Sequence, residues 1–314
     1  MGKRVSVKRE RLPEIAVKPL RDPQERTYLT FGVVMPALVY VVIVAVVLKL
    51  VPQFGVNLLA WLVLGLMVVL GLAGSHKRRM LKRHPRSKVT GSAHPELRLL
   101  LNQQCRLLGI KKVPELYVVD ASDVRALVRG VASPYLVLTT RLLQVLTPRE
   151  TEAVMATLVG HLKAGTVPWR TFLSSLREAN GLLKIICLPY LLMATLMAPY
   201  HEVSNHAADR LALLLLDGNS RLLTLALVKL ATYSSATMTD DQRRRLESFL
   251  QREGMEARAE DVEQQMILGE LLKRSPGLKE RLAVVGRTPD DEAFDTELGH
   301  MEERVEKLQV SARG

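Results

Sequence analysis

Two long runs without a charge dominate the hydrophobic pattern of the chain. The first is "TYLTFGVVMPALVYVVIVAVVL" (27–48) and the second "LLAWLVLGLMVVLGLAG" (58–74). At about 1.5 Å per residue each can cross roughly 30 Å of hydrocarbon, the second only just. Pro52 and Gly55 lie in the short connection, and Tyr28 and Trp61 suit interfacial positions. The pattern predicts a two-helix transmembrane hairpin over 27–74. A cleaved signal peptide fits less well, because the first run lies far from the N-terminus and lacks a small-residue cleavage site.

Beyond the hairpin the apolar period shortens. "HPELRLLLNQQCRLLGI" (94–110) has helical spacing and ends at Gly109, a C-cap residue. "PELYVVD" (114–120) reads as a strand, and "LVLTTRLLQVL" as a strand passing into a helix. "TPRE" (147–150) starts the next helix: Thr147 as N-cap, Pro148 at N1 and Glu150 at N3 make a capping box. That helix, "ETEAVMATLVGHLKAG", runs to Gly165 and sets Thr157 and His161 on one face. A third apolar run (182–200) contains Lys184, Pro189 and Pro199 and reads as a buried or membrane-surface helix in preference to a span. Two further apolar helices break at Asp217-Gly218, residues 240–274 are polar and amphipathic, and "RSPGLKERLAVVG" resembles a helix start.

Charge changes the picture only in the flanks. The formal net charge is +12, and all of the excess falls on residues 1–26, Lys49 and 75–88; residues 89–314 balance at 28 basic and 28 acidic. Basic flanks around a nearly bare loop place both termini and everything after Gly74 on the cytoplasmic side of an integral membrane protein. The basic stretch 77–88 either lies along anionic lipid headgroups or merely fixes topology. With aromatics at 4% and no basic globular face, nucleic acid is not an expected partner. Cys105 and Cys187 are far apart and read as buried thiols.

Several elements, in order, resemble the HtpX-type membrane zinc metallopeptidases, the family that includes the CAAX prenyl endopeptidases. They are "HPELRLLLNQQCRLLGI", "LVLTTRLLQVLTPRE", "ATLVGHLKAG", "NHAADRLALLLLDG" and "SPGLKERLAVV", together covering roughly 94–285. The resemblance implies an α+β fold: a mainly helical zincin-like domain with a small β-sheet, preceded by the hairpin. The expected organisation is a basic cytoplasmic N-terminal segment (1–26), the hairpin (27–74), a basic juxtamembrane linker (75–93), the metallopeptidase-like domain (94–287) and a C-terminal tail (288–314).

The departures fall on the chemistry. Such an enzyme needs two imidazoles at i and i+4, a carboxylate ligand and a glutamate base beside the first histidine. Matched residue by residue, the ligand positions hold Thr157, His161 and Asn205, and the base position holds Leu158. Asp209, which the resemblance makes an orienting residue behind a ligand histidine, is retained with Arg210. Its expected partner is His161. His201 and Glu202 share a helical face with Asn205 and are the conceivable substitute ligands, though they supply no base. Loss of a general base alone costs on the order of 10²- to 10⁴-fold in rate.

The expectation is a pseudoprotease with no catalytic residue and no bound metal. It would sit in the lipid bilayer and bind a protein or peptide partner along a groove edged by Tyr135, Leu136, Val137 and Leu138. The rival readings are a divergent active zinc endopeptidase and a structural membrane scaffold whose groove is closed.

Overall fold

The computed structural model describes residues 13–83, 94–177, 182–234, 244, 276–288 and 291–313. The expected polar stretch 240–274 lies outside these apart from Arg244. Helix α1 (Pro23–Leu50) is capped by Asp22, whose side chain accepts from Gln24 N, and α2 (Pro52–Arg83) follows after Val51 alone. Both are long and apolar enough to cross a membrane, with mean hydropathies of 2.8 and 2.4 over their best windows. Their sides stay open: Val41 and Met67 are about two-thirds exposed. Gly55 falls inside the first turn of α2 against Leu48, and not in a loop.

Helix α2 does not stop at the end of its apolar run. It continues into the stretch read as a linker, as far as Arg83, and docks on a three-stranded sheet. Lys77 bonds Glu115 and sits 5.9 and 5.8 Å from the ring centres of Tyr117 and Tyr135, while Met80 and Leu81 pack beside them. The sheet comprises β1 (Glu115–Val119), β2 (Ala126–Arg129) and β3 (Tyr135–Thr139) in the order β1-β3-β2. β3 pairs parallel with β1 and antiparallel with β2.

The remaining helices are α3 (Pro95–Leu107), α4 (Thr140–Val145), α5 (Pro148–Ala164), α6 (Val167–Arg177), α7 (Leu182–Ile186), α8 (Leu188–Leu196), α9 (Ala198–Leu215), α10 (Ser220–Ser234), α11 (Pro276–Arg287) and α12 (Glu292–Arg313), of which α5 and α6 pack against β2. The fold is therefore mainly helical with a small sheet, the class expected of a peptidase domain. The apolar run 182–200 is three pieces, not one helix: Cys187 interrupts it before α8, and Met197 before α9. α7 and α8 lie against α1 and α2, where a Cβ on Gly65 would sit 2.9 Å from the Tyr190 ring and the Tyr190 hydroxyl donates to Leu62 O at 2.6 Å. Only glycine allows backbones to approach that closely.

Both ends of the described chain join the main core. Ile15 and Leu20 are buried in it, Arg21 donates to Ala164 O, and Phe294 and Met301 of α12 are buried too. Most of the stretch expected as a C-terminal tail is thus the packed helix α12.

Candidate functional site

Helix α5 is the axis of the site. Its capping box is complete: Thr147 Oγ1 accepts from Glu150 N at 3.3 Å and Glu150 Oε2 accepts from Thr147 N at 2.8 Å. Gly165 ends it at φ +72°, the left-handed cap that glycine adopts without strain. Between these caps every residue from Ala153 to His161 is buried. Gly160 is what lets α9 lie so close: a Cβ there would overlap Ala208 O and sit 3.1 Å from its Cα. This contact brings the middle of α5 face to face with Asn205 and Asp209 on α9.

A cavity of about 120 Å³ opens at that crossing. Thr157, Leu158 and His161 line it from α5, Arg170 from α6, Asn205 from α9 and Arg281 from α11, with Ala126, Leu127 and Val128 of β2 along one side. Thr157 Oγ1 donates back to Ala153 O at 3.3 Å. Asn205 Oδ1 accepts from Arg170 Nη1 at 2.9 Å, and Asn205 Nδ2 donates to His201 O at 3.2 Å. The same Arg170 nitrogen reaches Ser204 Oγ at 3.4 Å. Behind them Arg281 grips the buried Asp209 with both arms of its fork, at 2.6 and 2.7 Å.

Burial sets the protonation of this cluster. The His161 imidazole is pushed well below its ordinary range, first by desolvation and then by the Arg170 and Arg281 charges. Burial and the same arginines take His201 down to about 3. Arg170 is lowered by burial and Arg281 to about 10, so it stays cationic at neutral pH.

The sequence model of peptidase family M48 matches residues 92–288, well over half of the chain. The chain belongs to peptidase family M48. No curated protein and no solved structure matches it. The matched stretch of this M48 protein contains the whole sheet and every residue lining the cavity.

Four of the family positions read from sequence, Thr157, Leu158, His161 and Asn205, therefore meet in one place. Two expectations need correction. His161 does not bond Asp209: its Nδ1 lies 2.9 Å from Thr166 Oγ1, because the turn at Gly165 folds Thr166 back over the helix end, and Arg281 has taken both Asp209 oxygens. Nor do Tyr135, Leu136, Val137 and Leu138 form a groove edge. They belong to the central strand β3, paired on both sides, and β2 is the edge beside the cavity. His201 and Glu202 are not among the lining residues, and Glu202 is turned towards Gly277. Among the described residues no three His, Cys, Asp or Glu side chains group as metal ligands would. Sequence reasoning missed Arg170 altogether; "TVPWR" carries no pattern that announces it.

Proposed function

We propose that this M48 protein is a catalytically degenerate, HtpX-like member that holds an extended polypeptide without cutting it. The observation that carries the reading is the 2.9 Å bond from Arg170 Nη1 to Asn205 Oδ1. That oxygen stands where the resemblance puts the third zinc ligand, and a guanidinium already occupies it. A divalent ion about 4 Å from a guanidinium is repelled by on the order of 8 kcal/mol at an effective dielectric of about 20. A hydroxyl turned back to Ala153, one imidazole and a carboxamide offer too little to offset this. The residues do not fit zinc.

Leu158 adds the second half of the case. It fills the general-base position with an isobutyl group, 6% exposed and packed in the main core. Among the described residues lining the cavity no carboxylate stands in its place, and the nearby Asp209 is fully engaged by Arg281. Yet the cavity opens next to Leu158, which favours a receptor over a closed scaffold. β2 supplies the means of recognition. Among the described residues it is paired on one side only, and an extended segment can add to its other side by main-chain hydrogen bonds.

In the same reading α1 and α2 anchor the protein with the domain and both termini in the cytoplasm. Leu62, the acceptor for Tyr190, lies about 18 Å along the helix from Gly74 at 1.5 Å per residue. The α7–α8 segment then dips about half way into the bilayer from the cytoplasmic side and returns. Lys77 is taken by Glu115, so anionic headgroups would meet Arg78, Arg79 and Lys82, which are exposed.

The test is to incubate the detergent-purified protein with a mixed library of unstructured polypeptides, with and without added zinc. Bound peptides are recovered and every product is read by mass spectrometry. Retention of intact peptides is the expected result; new termini formed with zinc and suppressed by chelator would overturn the reading.

A further inference from the structure

The charges around the cavity do not cancel. Arg281 and Asp209 form a closed pair, with both carboxylate oxygens and two guanidinium nitrogens used on each other. Arg170 has no such partner: its contacts are the amide oxygen of Asn205, the hydroxyl of Ser204 and the carbonyl of His201. Among the described residues no carboxylate lies within ion-pair distance of it. All three contacts, moreover, fall on a single nitrogen, Nη1. A partly buried guanidinium satisfied only by neutral oxygens on one arm is costly to keep, and an arriving anion would relieve that cost.

The surroundings select the anion. Much of the lining is apolar, with Val154, Leu158, Leu227 and Leu230 joining Ala126, Leu127 and Val128 of β2. A space of about 120 Å³ admits a carboxylate with a short stem, not a bulky headgroup. The polar side chains that face it include no carboxylate: Arg170, Arg281, His161, Thr157 and Asn205.

We propose that the cavity receives a polypeptide carboxylate, with Arg170 as its counter-ion and β2 as the strand that aligns the chain bearing it. This rests on the reading that the groove holds an extended polypeptide, and it names the chemical feature that the groove selects. The residue that excludes a metal cation is then the residue that admits an anionic ligand.

The experiment uses the full chain in detergent and three fluorescent versions of one Leu/Val-rich hexapeptide. One ends in a free carboxylate, one is amidated and neutral, and one is amidated with an internal Glu. Anisotropy titration should give about 10- to 100-fold tighter binding for a carboxylate peptide than for the neutral one, as a charge-assisted contact implies. Whichever carboxylate peptide binds tighter identifies the source as a chain terminus or a side chain. Arg170→Gln should erase the preference and Arg170→Lys should retain part of it, both variants being checked first for wild-type melting. Equal binding of all three, or a preference that survives Arg170→Gln, overturns the carboxylate proposal while leaving the groove reading standing. If none of the three binds, both fall together.

Discussion

At its first turn α5 packs Glu150 against Lys229 at 2.9 Å, with side chains 8% and 3% exposed. Further along, the same helix meets Arg170 and Arg281 across an open cavity. The first cluster is sealed: Glu150 also accepts from Thr147 N, so a single carboxylate ties the cap of α5 to α10. The second is left open, and its surplus charge has no counter-ion within the described residues. Buried charge in the first place specifies a fold, and in the second it leaves something for a ligand to satisfy. That difference separates structural from functional polarity on one helix without appeal to any catalytic residue.

The largest expected effect breaks the sealed cluster. Lys229→Met leaves Glu150 buried without its cation, and unfolding in denaturant should show a loss of about 3–5 kcal/mol. A loss below about 1 kcal/mol would mean the pair is wet. Next comes the crossing that creates the open site. Gly160→Ala forces a methyl onto Ala208 O, and about 1–3 kcal/mol of stability should go, together with peptide binding.

Acid sharpens the contrast in the middle of the range. His161 and His201 both titrate below their unfolded value of about 6.5, so the unfolded chain binds more protons as pH falls. Their stabilisation is complete above about pH 6.5 and is lost on acidification, by up to about 1.4 kcal/mol per pH unit for each, until the folded pKa is reached. For His201 that limit is about 3. With chelator present, the double variant His161→Gln, His201→Gln should flatten the slope between about pH 6 and 3; an unchanged slope contradicts the assigned burial. Thr147→Ala removes the cap acceptor and should cost about 1 kcal/mol by the same denaturant measurement. Smallest of all is Arg170→Gln, which gives up no ion pair and should shift stability by under about 1 kcal/mol while changing what the cavity binds.

What was legible in the sequence was local. The Thr147-Pro148-Glu150 box, the Gly165 cap and the Asp217-Gly218 break act within a few residues, so their spacing alone announces them. The two apolar runs needed only length and composition. β2 was missed because four residues, Ala126 to Arg129, are too few for an alternation to register, and its edge position is decided by β3 pairing from further along the chain. Arg170 reaches Asn205 across 35 positions, a contact that only the α6–α9 geometry creates. The candidate ligand positions could be named because they sit inside a matching motif, but their partners could not: Thr166 and Arg281 come from a turn and a distant helix.

Metal content bears most directly on the claim that a guanidinium stands where an M48 peptidase would hold its ion. Detergent-purified protein, equilibrated with a small excess of zinc and then desalted, is assayed for bound metal beside the His161→Ala variant. Far less than one zinc per chain, unchanged by the substitution, is the predicted result. Close to one zinc per chain, lost when His161 is removed, would contradict it and restore the chain to the working peptidases.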